Sequence, residues 1–360
     1  MDVVVDLARP EDDEGIRALV RREALPGRIR LSLAREPEFA MGCAVTGDDY
    51  RVVVARAADT GDIVGVACRS VRRVFLAGRE HRIGYLGQLR VDERYRGRWL
   101  VSRGFSLLAA IDRAEPLPAY LASIVDGNSE ATGILVAKRR ARFPAFREVA
   151  AYRTLALPVR RKPPLAGPEE IVPGSADQLS ELARFLRAEG VRRQLFPVWT
   201  EDALARLEGF GLRLEDIRIA RRCGAIVGVI ALWDQTAYKQ SIVRGYSGWM
   251  KVLSPILPRI GDTIRSVTAS LVSVVNDDPQ VFARLLREVY RAARSRGFAY
   301  LLVGLDARDP LLKIARTYSH YSYPSRLYLA SWANGHGGSN GGALHAQLDE
   351  RPAYVDIATL

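Results

Sequence analysis

The run from Ile83 to Asp112, IGYLGQLRVDERYRGRWLVSRGFSLLAAID, constrains this chain more than any other. An apolar strand pattern runs into an Arg-rich turn that opens directly into a helix. The first turn of a helix carries backbone N–H groups without intrahelical partners, and with Arg96 and Arg98 beside them they form a seat for a pyrophosphate. Further on, AYLASIVDGNSEATGILVA supplies a second strand, Ala119 to Val125, then Asn128 and another helix. The order is strand, basic turn, helix, strand, Asn, helix.

At 360 residues the chain exceeds the usual single-domain size, and two domains of about 160 residues are expected. A hydrophobic content of 48% with 26% charged residues fits a folded globular protein and excludes general disorder. The acidic start, MDVVVDLARPEDDEG, reads as neither a secretory signal nor a transit peptide. No later stretch reaches the roughly eighteen unbroken apolar residues of a membrane span, so a cytoplasmic protein without a membrane partner is expected. Cys43, Cys68 and Cys223 stand far apart with no CxxC spacing and read as buried small side chains. His81, His320, His336 and His345 have no ligand spacing, so no metal is expected. The net charge of +12 comes almost wholly from Arg, whose forks suit phosphates on CoA or RNA, although it is spread through both halves.

The first half opens with VVVDL, an acidic turn and an amphipathic helix carrying Ile16, Leu19 and Val20. Thr60 to Asp62 reads as a hairpin turn, and Phe146 to Val159 as a closing strand. The Pro-rich segment 161–168 reads as a linker between domains at 1–160 and 169–333. The second half replays the plan: a strand at Glu170 to Val172, helices from Ser175 and at Glu201 to Leu207, and a hairpin turning near Cys223 and Gly224. An irregular, aromatic-rich stretch from Tyr238 to Pro258 follows, then a strand, turn and helix around NDDPQVF, Asn276 to Phe282. Residues 334–347 read as a flexible Gly-rich loop, and alternation in 348–360 suggests a last strand.

The Ile83 to Ala137 pattern resembles the acyl-CoA-binding core of the GCN5-related N-acetyltransferases, in the tandem-domain form. That resemblance implies an α/β (α+β) chain of two tandem domains, each a mixed, mostly antiparallel sheet flanked by helices. It implies an N-acyltransferase with acetyl-CoA, or another acyl-CoA, as cosubstrate and a small-molecule or peptide amine as acceptor. By the same resemblance Leu89 and Val91 bond the pantetheine arm through their backbone, Asn128 bonds it too, and Arg96, Gly97, Arg98, Trp99, Leu100 and Val101 form the pyrophosphate turn. Trp99 and Val101 stand where the family carries small residues. Turned toward the sheet they leave the amide cradle open, and turned outward they occlude it. The corresponding turn in the second half offers two carboxylates and no Arg, which repels a phosphate.

Aminolysis of a thioester needs a neutral amine, an oxyanion donor and an acid for the departing thiolate. The helix after Asn128 contains no tyrosine for the last role. Regular alternation puts Tyr85, Gly87, Leu89 and Val91 on one face, and Tyr85 is a workable proton donor. Asp126 is the preferred carboxylate, a local turn role being the simpler one. Trp233, Asp234, Lys239 and Tyr246 make a mixture suited to a polar substrate pocket, while an ordinary aromatic hairpin explains them too. The KRRARFPAFR cluster, Lys138 to Arg147, reads as a solvated helix end that could touch RNA. Two other functions stay open: a transferase acting on aminoacyl-tRNA, whose phosphates the basic surplus would meet, and a non-catalytic CoA-binding scaffold.

Overall fold

The structure, a computed structural model, describes residues 2–24, 27, 29–47, 49–97, 99–137, 143–160, 170–248, 251, 258–332 and 344–360. Arg98, the linker 161–168 and most of the Gly-rich loop lie outside the described residues. The first half runs β1 (Val3–Leu7), α1 (Asp13–Arg22), β2 (Ile29–Ala34) and α2 (Phe39–Ala44). Three long strands follow, β3 (Asp49–Ala57), β4 (Ile63–Leu76) and β5 (Arg79–Val91), then α3 (Leu100–Ala114), β6 (Tyr120–Val125), α4 (Ser129–Thr132) and β7 (Ala145–Pro158). The second half begins with β8 (Glu170–Pro173), α5 (Leu179–Gly190), β9 (Phe196–Pro197) and α6 (Glu201–Arg206). It continues with β10 (Ile217–Arg222), β11 (Ala225–Trp233), β12 (Gln240–Tyr246) and β13 (Thr263–Ile264). It closes with β14 (Ser266–Val274), α7 (Pro279–Ser295), β15 (Tyr300–Asp306), α8 (Leu312–Ala315) and β16 (Tyr321–Ser331).

Local chemistry explains most of these elements. Helix α1 buries Ile16, Leu19 and Val20 on one face, with acidic residues in its first turn and Arg21 and Arg22 in its last, as the helix dipole favours. The β4–β5 hairpin turns on Ala77 and Gly78, both at positive φ, the backbone that matches strand twist. Helix α7 inserts Val281, Phe282, Leu285, Leu286 and Val289 into the second half's core.

Most strands join one thirteen-stranded sheet, in the order β1-β3-β4-β5-β6-β16-β7-β15-β14-β11-β10-β8, with β9 on β4. Only β5–β6 and β14–β15 pair in parallel, and each pair is joined by a crossover helix, α3 or α7. The two halves therefore repeat one plan, and the sheet is mixed but mostly antiparallel. They also exchange closing strands. Strand β16 of the second half lies against β6 of the first, and β7 of the first lies against β15 of the second. A shared core of Tyr85, Leu121, Tyr152, Leu327 and Val355 forms at this junction.

Three expectations need correction. Residues 348–360 form no strand. They thread as an extended segment, fixed by Gln194 N–H to the Pro352 carbonyl at 3.1 Å and Tyr354 N–H to the Gln194 carbonyl at 2.8 Å, and end in a short 3-10 turn. The stretch after Tyr238 contains β12, which pairs across the halves with β2 and with β13 in a small separate sheet. Cys223 is exposed in the β10–β11 turn, unlike the buried Cys43 and Cys68.

Candidate functional site

Strands β5 and β6 are in register only at Gly84–Tyr120 and Tyr85–Leu121. Gly84 is required there, because a Cβ would lie 2.0 Å from the Tyr120 ring. Beyond Tyr85 the pair diverges. On the other edge of β5, Cys68 of β4 faces Gly87 while Val66 faces Arg90, so a bulge intervenes, with Gln88 at φ +58°. The bulge breaks the alternation that would have put Tyr85, Gly87, Leu89 and Val91 on one face.

The divergence opens a cavity of about 460 Å³, walled by Leu86 to Arg90 on one side and Ala122 to Val125 with Asn128 on the other. Leu100, Val101, Gly104 and Phe105 of α3 roof it. Its far end is made by the other half, through Gln235, Thr236, Lys239, Ser241 and Thr268.

Of the residues read as holding the cofactor, Leu89, Leu100, Val101 and Asn128 line this cavity. Val91 does not, since it packs with Val64 and Leu100 in a separate cluster. Asn128 Oδ1 accepts the Ala131 N–H at 3.0 Å, which directs its amide nitrogen elsewhere. Gly97 has φ +78° and open space around it. Trp99 precedes α3 at φ +59°, is 67% exposed and is not part of the cavity's lining. Trp99, the N-cap residue, makes no side-chain cap hydrogen bond to α3. Arg96 is held between two carboxylates, Glu23 at 2.8 Å and Glu130 at 3.5 Å, and does not line the cavity.

Tyr85 lines the cavity, with the Arg72 guanidinium 4.8 Å from its ring centroid, and burial pushes its phenol above the ordinary value. Asp126 sits outside the cavity, where its carboxylate meets Arg326 at 3.1 Å and Arg153 at 3.9 Å. The local ion-pair role therefore describes it better than a catalytic one. Three of the four substrate candidates are also placed elsewhere. Trp233 is fully buried and donates its indole N–H to the Phe210 carbonyl. Asp234 caps Thr236 at 3.0 Å. The Tyr246 hydroxyl donates to the Pro258 carbonyl.

Lys239 alone of that group lines the cavity, and its Nζ donates to the main-chain oxygen of Leu360 at 3.1 Å. Burial, with Arg35 adding to it, lowers its ammonium to about 7. Sequence reasoning missed Gln88, Arg90 and Gly104 on the walls, and Arg35 behind them. Only the bulge and the packing of the other half bring these to one place. The aromatic residues of the basic cluster, Phe143 and Phe146, pack on Phe105 with centroids 4.9 and 6.3 Å away, not toward solvent. No group of His, Cys, Asp or Glu among the described residues is arranged to hold a metal.

The second half carries the same framework in a closed form. Strand β14 has its own bulge, with Leu271 at φ +54°. The amide of Leu271 there donates to Asp356 Oδ2 and that of Val272 to the Tyr354 hydroxyl, both at 3.0 Å. At the start of α7, Asp278 Oδ1 accepts from Gln280 N–H at 2.9 Å and Val281 N–H at 3.4 Å. The chain's own C-terminal segment and its own carboxylate thus take the places that stay open in the first half.

A bulged strand splayed from its parallel neighbour and joined to it by a crossover helix, present once in each half and open over a cavity only in the first, is a fold that this chain shares with solved GCN5-related N-acetyltransferases. Solved structures bear this out across nearly the whole chain. Saccharomyces cerevisiae N-myristoyltransferase with bound myristoyl-CoA matches with a TM-score of 0.62 at 11% identity, over 92% of this chain and 79% of that one. A GCN5-related N-acetyltransferase from Sphaerobacter thermophilus matches with a TM-score of 0.57 at 15% identity, over 92% and 96%. A GCN5-related glucosamine N-acetyltransferase region of a fungal multi-domain GH3 β-N-acetylglucosaminidase matches with a TM-score of 0.61 at 13% identity. There the match covers 91% of this chain but only 38% of the larger protein. No family model and no curated protein sequence matches the chain. No helix among the described residues is long and apolar enough to cross a membrane.

Proposed function

We propose that this chain is an acyl-CoA-dependent N-acyltransferase, with acetyl-CoA as the default donor and an amine of a small molecule or peptide as acceptor. Residues 1–160 hold the donor, and residues 169–333 form a degenerate copy that completes the acceptor end. The asymmetry between the two grooves carries this reading. One is open beneath a helix whose N-cap residue, Trp99, makes no capping hydrogen bond, whereas its counterpart is filled by Asp278, Tyr354 and Asp356. An uncapped helix start favours an anion such as a diphosphate, and the solved relatives include one with bound myristoyl-CoA.

In this reading the pantetheine arm runs along the splayed edge of β5, bonded by the Leu89 backbone and by the amide nitrogen that Asn128 keeps free of its cap. The amine nitrogen attacks the thioester carbonyl carbon, the carbon–sulfur bond breaks, the nitrogen gives up a proton and the sulfur takes one. A backbone N–H at the bulge polarises the carbonyl. Tyr85, which lines the cavity and whose burial favours the protonated phenol, serves as the donor to the sulfur in this reading.

Calorimetric titration with acetyl-CoA tests the reading. One equivalent per chain is expected, and Asn128→Ala should weaken it. No binding, or two equivalents, would overturn the assignment.

A further inference from the structure

The cavity has an unusual charge balance. Among the described residues that line it there is no Asp or Glu side chain, and the charged ones are Arg90 and Lys239. The remaining polar lining at the far end is uncharged, including Gln88, Gln235, Thr236, Ser241 and Thr268. Two more cations lie behind this wall. Arg35, 1% exposed, donates from Nη2 to Gln88 Oε1 at 3.2 Å, and among the described residues its Nε and Nη1 have no hydrogen-bond acceptor. Arg72 donates to the hydroxyl and carbonyl of Thr359, and its Nε has no acceptor.

The buried carboxylate nearest these groups is Asp356, and its oxygens already accept the amides of Leu271 and Ala358. Glu23, the carboxylate that acts on Arg90, is engaged by Arg96. The oxygen that Lys239 meets belongs to the main chain of Leu360, and even a carboxylate there would leave the cluster positive. An ammonium has three donors, so two on Lys239 remain for the cavity.

Buried cations without counter-charge are costly, and an anion supplied by a ligand offsets that cost. We propose that the acceptor amine carries its own oxyanion, a carboxylate or a phosphate, and that Lys239, at the end of the cavity built by the second half, and Arg90, on the β5 wall, draw it into the cavity. This rests on the acyltransferase reading and names the acceptor class for the same site. The same positive surroundings disfavour the acceptor's ammonium form and present its amine neutral, the nucleophilic state. That accounts for a cleft with no Asp or Glu side chain among the described residues of its walls. Diamines and polyamines, which need acidic walls, are excluded as preferred acceptors.

Three probes of similar size and one shared amine test this on the full chain saturated with CoA: β-alanine, 2-aminoethyl phosphate and 1,3-diaminopropane, each titrated calorimetrically. At least one anionic amine should bind ten-fold or more tightly than the diamine, and the stronger of the two identifies the anion. Lys239→Met and, independently, Arg90→Gln should each lower that affinity ten-fold or more, with Lys239→Arg retaining most of it. The proposal is overturned if the diamine binds as well as the anionic amines, if neither anionic amine binds to protein that takes up CoA, or if a folded variant, shown by an unchanged melting curve, binds them normally. A chain that takes up no CoA refutes the acyltransferase reading instead.

Discussion

Gly104 separates the stability of α3 from the use of the cavity beneath it. It sits in the first half of a fifteen-residue helix, on the face that roofs the cavity, and a Cβ built there meets nothing within 4 Å. A helix-interior glycine costs about 0.8–1 kcal/mol relative to alanine, and the open space means no packing penalty opposes its removal. Gly104→Ala should therefore raise unfolding free energy by about 1 kcal/mol, read as a later urea midpoint at constant m. Gly104→Phe gains less helix propensity, a few tenths of a kcal/mol at roughly the Phe position of the scale, and sends a ring into the cavity. If the donor's arm runs there, acetyl-CoA binding should weaken at least ten-fold, or about 1.4 kcal/mol. Stability and binding would then move in opposite directions, which unfolding cannot imitate. A stable Gly104→Phe protein that binds acetyl-CoA like the parent would show that the donor does not pass under α3.

Three further outcomes are expected. Asp278→Ala removes the carboxylate that caps α7 and should cost about 1 kcal/mol in urea denaturation, while leaving the acetyl-CoA stoichiometry at one. Lys239, its ammonium lowered to about 7 by burial, is mostly neutral at pH 8, so competitive acetylation with trace anhydride should titrate it with a midpoint near 7; a midpoint near the ordinary lysine value of about 10.4 would contradict the buried placement. Trp99→Gly suits the left-handed backbone before α3 and should change stability by no more than about 1 kcal/mol, with acetyl-CoA binding retained. A large gain in affinity on removing the indole would mean that it covers the seat.

Short-range pattern carried the framework into the sequence. The strand, basic turn, helix, strand and Asn128 cap each depend on neighbours within a few residues, and their periodicity exposes them. The bulge at Gln88 was not legible, because nothing in GQLR distinguishes a bulge from regular pleating. Strands β2 and β12 were hidden for another reason: each is short, and its partner lies some two hundred residues away. The substrate candidates show the same limit. Trp233, Asp234 and Tyr246 looked like pocket groups by composition, yet main-chain partners absorb their polar atoms, while Lys239 reaches the cavity only because β12 docks on β2. The ion pairs of Asp126 were not legible because its arginine partners come from β7 and β16, the second of them distant in sequence.

The swapped positions of β7 and β16 give the half with the blocked groove a structural part in the other half. Once each repeat borrows its final strand from its sibling, neither can be deleted without stripping the other of a hydrogen-bonded edge. Each half thus depends on the other for a strand of its sheet. Separately expressed halves should remain sticky and incomplete, and regain order only when mixed.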